Sequence, residues 1–370
     1  MSTPSDVDRD QPLNLHEYKH AARHILPRMA YDYINGAAED RRTVRANRRA
    51  FLDWRLLPRT MGGFEFPDLT TSVLGQTVAM PVLLAPVAMQ RLAHEQGELA
   101  SARAARALGT VYGLSTMATS TIEEVAAETD RWWFQLYIFR DRAITADLVQ
   151  RAEAAGASAL VVTVDTPKLG RRENDERNGF TLPEELHLAN LAPYTQEHLD
   201  DGSGGSGLAA YVGTQQEPTI TWADIEWLSS LTRLPVIPKG IVAPADAREA
   251  VERGASAIIV SNHGGRQLDH CVAALDALPA VTAAVDGRAE LFMDGGIRRG
   301  TDVLKALALG ARAVLIGRPY VWGLSVDGEA GVRHVLELLC AEIELDMLLC
   351  GCRNVAEITR DLLVRPGPLT

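Results

Sequence analysis

The sequence predicts an α/β protein of the (β/α)8 barrel class, and three observations carry that prediction. From Pro81 onward, short apolar runs alternate with amphipathic stretches. The runs are apolar at every position rather than at alternate ones, so both faces of each strand must be covered, as in a parallel sheet wrapped by helices. One junction also recurs almost letter for letter: GASALVV from Gly156, GASAIIV from Gly254 and GARAVLI from Gly310. Each reads as a helix-ending glycine followed by a buried strand. Eight such units over about 270 residues fit a closed barrel better than a doubly wound sheet.

The elements follow in order. Residues 1–14 are polar with a net acidic charge, and are expected to be disordered; residues 15–370 read as a single barrel domain. Its lead-in, LHEYKHAARHILPRMAYDYI, has helical spacing, and a short irregular or β segment before Pro81 is expected to close the barrel bottom. The strand candidates are PVLLAP, VYGLS, WWFQLY, ALVVTVD, PVIPKG, AIIVSNH, LFMDGG and AVLIGRP. Between them, ELASARAARALG, ADLVQRAEAAG, ADAREAVERG and DVLKALALG carry apolar residues at helical spacing and end in glycine, a common helix C-terminus. The rhythm breaks between Thr166 and Thr221. Residues 166–220 are polar and too long for an ordinary connection, so they are expected to be a mobile active-site loop or partly disordered. Gly202, Gly204 and Gly207 in this stretch satisfy G-x-G-x-x-G. No apolar strand precedes them, so a flexible linker is the better reading and a nicotinamide dinucleotide is not implied.

Composition narrows the function classes. The chain has 370 residues, 46% hydrophobic, with a net charge of −11, which argues against nucleic acid or an anionic membrane surface as a partner. Cys271, Cys340, Cys350 and Cys352 show neither paired spacing nor a neighbouring histidine at metal spacing, so neither a disulfide framework nor a metal site is expected, and a reducing cytoplasm fits. The opening MSTPSDVDRD lacks the basic-then-apolar pattern of a signal peptide, no run approaches a membrane span, and the terminal GPLT does not match a peroxisomal address.

In a barrel of this kind the reactive groups gather at the C-terminal ends of the strands. Reading only those ends yields Ser115 and Thr116, Gln135 and Tyr137, Thr163 and Asp165, and Lys239. The last three strands add His263 with Arg266, Asp294 with Gly295, Gly296 and Arg298, and Gly317 with Arg318. Chance would scatter such residues over loops and helix surfaces. A lone strand-end histidine is usually only a hydrogen-bonding group, but a carboxylate within reach fixes its tautomer and stabilises its protonated form. Lys239 is open to three readings: an ion-pair residue, a Schiff-base lysine, or a cation beside a cofactor that gains negative charge. The glycines after the last two strands, each with an arginine alongside, suit a phosphate-bearing cofactor.

These residues carry a resemblance. VSNHGGRQLD, TVDTPKLGRR, FMDGGIRRGTDVLKALALGA and the early YDYINGAAED resemble the FMN-dependent 2-hydroxy acid oxidase and dehydrogenase family, which includes glycolate oxidase, lactate oxidase and mandelate dehydrogenase. The resemblance runs from about Leu15 to Ile358 and implies FMN at the barrel mouth and oxidation of an (S)-2-hydroxy acid to a 2-oxo acid. It implies His263 as the base, paired with Asp165, and Arg266 with Arg172 on the substrate carboxylate. Tyr33 and Tyr137 would hydrogen-bond the substrate, and Lys239 would lie against flavin N1. Ser115, Gln135 and Thr163 would hold the isoalloxazine edge and Asp294 the ribityl chain. Gly296, Arg298, Gly317 and Arg318 would hold the phosphate, with Ala88, Ser261 and Gly295 completing the cofactor set. A homotetramer is likewise an expectation of the family. His263 would take one proton, from the α-carbon or from the hydroxyl as hydride leaves, and the sequence does not choose between them.

Two departures bear on specificity. Glycolate oxidases carry a tryptophan in the segment that here reads LSTMATS, so Met117 replaces a rigid wall with a flexible side chain. In APVAMQ, Ala88 stands where several dehydrogenases of the family have glycine, which leans toward an oxidase using O2. The acidic, glycine-rich EHLDDGSGGSG stands where membrane-bound members carry an apolar or basic insertion, and argues against membrane docking. Two alternatives stay open: a dehydrogenase passing electrons to another acceptor, and a barrel lyase or aldolase working through Lys239.

Overall fold

The structure, a computed structural model, describes residues 11–195 and 215–366. Eight parallel strands close a barrel: β1 Val82–Leu84, β2 Tyr112–Ser115, β3 Trp132–Leu136, β4 Ala159–Thr163, β5 Val236–Ile241, β6 Ala257–Val260, β7 Glu290–Asp294 and β8 Ala313–Ile316. Each strand lies on one of the eight runs expected to form it. β8 returns to β1 through Val314 beside Val82 and Ile316 beside Leu84.

The continuous apolar runs are explained by where alternate residues go. Leu83, Val111, Trp133, Val161, Ile237, Ile259, Phe292 and Leu315 fill the barrel interior, where the Trp133 and Phe292 rings stand 5.2 Å apart. Their neighbours, such as Leu84, Phe134, Leu160, Ile258 and Met293, pack outward in a second, larger core beneath the helices. Burying one such side chain contributes roughly 2 kcal/mol. The helices Gly97–Ala107, Arg142–Ala154, Pro244–Glu252 and Gly300–Ala308 fall on the four amphipathic stretches. Gly156, Gly254 and Gly310 all have positive φ, which is why the repeated junction uses glycine to turn each chain into the next strand.

The bottom closure is the hairpin Thr71–Val73 with Gln76–Val78, whose Val73 and Val78 join the interior core, while Leu74 donates its N–H to Glu290 at the start of β7. The lead-in divides into helices Leu15–Ile25, Arg28–Asn35 and Arg42–Arg49. The first packs along the final helix, Arg318–Cys350, which is kinked at Asp327 and Gly328. The other two climb to the opposite end, where the site lies. Helical spacing does not place them there; the family resemblance does so for Tyr33 alone. Asn14 caps the first helix by accepting from His16 and Glu17, so order begins before Leu15. Within the long connection, Glu173–Arg177 and Ala192–Thr195 are helical, whereas the G-x-G-x-x-G glycines lie outside the described residues.

Candidate active site

The interior stack continues upward by twos into a polar layer. From Trp133 the next inward position is Gln135; likewise Val161 leads to Thr163, Ile237 to Lys239, Ile259 to Ser261, Phe292 to Asp294, and Val111 past Gly113 to Ser115. These residues bond in two chains. Ser115 donates to Gln135 at 3.1 Å, and Gln135 donates to Thr163 at 3.0 Å. Across the mouth, Lys239 Nζ reaches Ser261 at 3.2 Å and Asp294 at 3.1 Å, and Ser261 donates to the other Asp294 oxygen at 2.7 Å.

One step above this layer, His263 Nδ1 lies 3.0 Å from Asp165 Oδ1. The carboxylate holds the proton on Nδ1, leaving Nε2 free to accept one. His263 sits at φ 55, a costly conformation for a non-glycine residue that the two following glycines help to accommodate. Asp165 approaches because its neighbour on β5 is Gly240, at φ 116: a Cβ there would lie 2.6 Å from the Asp165 side chain. Burial lowers the His263 pKa, and Lys239 and Arg172 lower it further, outweighing the opposing pull of Asp165. Burial by itself would raise the Asp165 carboxyl, but His263 and then Lys239 hold it below its usual value. Lys239 resists the downward effect of burial through Asp294 and Asp165 and lies above its ordinary value. A firmly protonated, paired ammonium is a poor Schiff-base nucleophile, which disfavours the lyase alternative.

A pH profile follows. His263 is base-competent when neutral, and its lowered pKa keeps it neutral to more acidic pH. The acid limb of kcat/KM should therefore have its midpoint below 6.5, the ordinary histidine value. Asp165→Asn removes the group that raises His263, so the limb should move further toward acid while the plateau falls roughly 10³-fold through loss of the held tautomer. A limb that shifts to alkaline pH in Asp165→Asn would contradict the pairing.

The same rim carries three half-buried arginines, Arg266, Arg298 and Arg318, beside the buried Arg172. Arg266 donates to the carbonyls of Tyr33 at 2.7 Å and Gly36 at 3.3 Å and lies over the Tyr33 ring at 5.1 Å; Arg172 reaches its backbone oxygen at 3.5 Å. Burial and then Arg172 push Arg266 down to about 10. The Arg298 guanidinium donates to the Ile297 carbonyl and stacks on Trp322 at 4.8 Å, and burial with the charge of Arg48 takes it to about 9. Arg318 donates to the Gly36 and Gly264 carbonyls, and its Nε is buried without a partner among the described residues. Cations held this way call for an anion. Gly295, Gly296 and Gly317 border the same end, where the helix Arg318–Cys350 begins, and a helix N-terminus favours phosphate. The residues present therefore fit a phosphate-bearing cofactor.

Ser115, Gln135, Thr163, Lys239, His263, Asp294 and the rim arginines, with Ala88, Met117 and Tyr137, line one cavity of about 590 Å³, while Asp165 and Ser261 stand behind its wall and reach it through His263 and Lys239. The sequence reading had missed several residues that build it. Asn47 and Asn262 exchange two hydrogen bonds of 2.8 Å, tying the lead-in to the histidine loop. Gln267 donates to the Asp165 and Lys168 carbonyls, fastening the two catalytic loops together; its place in the HGGRQLD run was a signal that could have found it. Phe180 stacks on Tyr33 at 4.5 Å. Gly296 does more than face the cofactor end, since a Cβ there would meet the Asn47 carbonyl and the Phe51 ring.

Fold and site together fit a barrel oxidoreductase with a phosphate-bearing cofactor at its mouth and a carboxylate-paired histidine beside it. The model of the FMN-dependent dehydrogenase family matches residues 22–365, and the chain belongs to that family. Its cofactor is FMN, and its reaction class is oxidation of CH–OH groups. It is 52% identical over 357 residues to an L-lactate oxidase of Nostoc sp., covering 95% of this chain and 98% of the relative. It is 51% identical to 2-hydroxyacid oxidase 1 of Homo sapiens, covering 96% and 97%. Among solved structures, a mandelate oxidase with (S)-4-hydroxymandelic acid superposes with a TM-score of 0.90 at 44% identity, covering 97% of this chain and 100% of that one.

Proposed function

We propose that this protein oxidises an (S)-2-hydroxy acid to the 2-oxo acid, with O2 reduced to H2O2, and that it accepts aromatic substrates such as mandelate. The observation that carries the reading is that His263, held from behind by Asp165, faces one cavity together with Arg172 and Arg266. Bound FMN supplies the two-electron acceptor. Arg266 and Arg172 bind the substrate carboxylate, a task their forked donors suit. Tyr33 and Tyr137 orient it by hydrogen bonds; burial and the nearby Asp165 charge raise the Tyr137 pKa, so it stays a neutral donor. His263 Nε2 takes the proton, and Asp165 stabilises the resulting imidazolium. Lys239, Ser115, Gln135, Thr163, Ser261 and Asp294 hold the ring and ribityl chain, while Arg298, Arg318 and Gly317 hold the phosphate. Anaerobic addition of substrate should bleach the yellow protein, and air should restore the colour with one H2O2 per turnover. Bleaching that air fails to reverse would favour the dehydrogenase alternative, against which Ala88 is the supporting residue.

Met117 supports the aromatic preference. Its backbone is held by Ser115 and Met89, while its half-buried side chain faces the cavity beside Leu169, Phe180 and Leu188. An unbranched thioether can withdraw to admit a ring and then pack against it. Burying one phenyl ring contributes roughly 2 kcal/mol, about thirtyfold in kcat/KM. Mandelate or 2-hydroxyoctanoate should outperform glycolate, and Met117→Trp should reverse the order. A wild type that favours glycolate would remove Met117 as the size gate.

We further place the protein in the cytoplasm as a homotetramer. Four free cysteines support a reducing compartment, and no described helix is long and apolar enough to cross a membrane. The tetramer rests on the family, and light scattering of the purified protein tests it.

A further inference from the structure

One charged group in the cavity has no task in the mechanism above. Asp175, on the helix Glu173–Arg177, lines the cavity, yet its side chain makes no hydrogen bond or ion pair among the described residues, and its Oδ1 is shielded from solvent. Its backbone is fixed. Its N–H donates to the Arg172 carbonyl at 2.9 Å, and its carbonyl accepts from Phe180 at 2.9 Å, the residue stacked on Tyr33. Asp175 therefore cannot drift from the carboxylate end of the site. Burial raises its carboxyl, and the charges of Arg266 and then Arg172 pull it back. Asp32, the next acidic group facing it, is occupied by Asn178 and Arg28.

We propose that Asp175 is a specificity residue that restricts the site to monocarboxylic 2-hydroxy acids and rejects those bearing a second carboxylate. The reasoning is a count of charge where water is scarce. At the carboxylate end, Arg172 and Arg266 bring two positive charges, Asp175 one negative, and a monoanionic substrate the other, so these four charges balance. A 2-hydroxy diacid would leave one excess negative charge, confronted by a carboxylate that no partner neutralises. Specificity of this kind comes from a repulsive element facing the wrong ligand rather than from a better contact with the right one. Without a direct ion pair to Asp175, the guanidinium N–H groups of Arg172 and Arg266 that do not hold backbone carbonyls stay available to the substrate.

The inference rests on the proposed carboxylate site of Arg172 and Arg266, so its test is binding as well as turnover. Dissociation constants of phenylacetate and phenylmalonate are measured on the FMN-loaded protein by perturbation of the flavin spectrum. The kcat/KM values of (S)-mandelate and (S)-malate are measured alongside, on wild type, Asp175→Asn and Asp175→Ala. Wild type should bind the monoanion and discriminate against the dianion. Both variants should narrow the dianion-to-monoanion ratio at least tenfold, whatever happens to the absolute values. A ratio unchanged in both variants, with the monoanion still bound, overturns the role of Asp175 alone. A wild type that binds neither anion overturns the carboxylate site itself, and this inference with it.

Discussion

His263→Ala should retain bound FMN and its yellow colour while losing substrate-dependent bleaching by roughly 10⁴-fold, the upper range for a positioned general base. The two halves of this expectation come from different parts of the site. The proposed phosphate end comprises Arg298, Arg318 and the helix beginning at Arg318, and His263 contributes nothing to it beyond the turn that leads to Gly264. The proton-accepting end has His263 Nε2 as its one well-placed base, since Asp165 is committed to Nδ1 at 3.0 Å and Lys239 is held protonated by Asp294. Removing the imidazole also leaves the Asp165 carboxylate without its main partner. That carboxyl should then drift upward, because burial is the largest influence on it and only Lys239 and a backbone hydrogen bond remain to oppose it. Stopped-flow reduction under anaerobic conditions measures the loss. Reduction within tenfold of wild type would assign the base elsewhere.

Lys239→Met should give the second largest effect, and in two observables. A fixed cation stabilises negative charge developing on a bound ring, so its removal should make FMN harder to reduce. A unit charge about 5 Å away is worth roughly 3 kcal/mol at an effective dielectric of about 20. For a two-electron couple that is a fall of roughly 70 mV in midpoint potential. Reduction by substrate should slow by about 10²-fold. Methionine matches the stem in length, so packing is disturbed little, but Asp294 loses its buried partner. Breaking such a pair costs about 3–5 kcal/mol, so the variant should also unfold at lower temperature. Spectroelectrochemistry separates the effects: an unchanged potential with lowered stability would make Lys239 a structural ion-pair residue only.

Much of this protein could be read before it was folded. The eight strands were legible because a strand covered on both faces must be apolar at every position, and few other environments demand that. The rim was legible for a related reason. Period-two geometry sends the residue two places beyond the last interior apolar side chain into the mouth, so Gln135, Thr163, Lys239, Ser261 and Asp294 follow from the strands themselves. His263 and Arg266 stood out because a basic, glycine-rich turn is a costly way to end a buried strand.

What the sequence could not supply were meetings between residues distant along the chain. The local pattern of YDYINGAAED does not say that the lead-in climbs to the far end of the barrel; only its family resemblance put Tyr33 at the site. The Asn47–Asn262 exchange joins positions 215 apart. The need for glycine at Gly240 is invisible until Asp165 lies against it, and the same is true of Gly296 beneath Asn47. Asp175 looked like one more charge in a polar loop. The physical reason is common to all of these. Local pattern is dictated by which face of an element must leave water, and that is written within a few residues. Which side chains then share a cavity, and which charge is left without a partner in it, depends on the closure of the barrel and on the path of the chain around it; only the tertiary structure decides these.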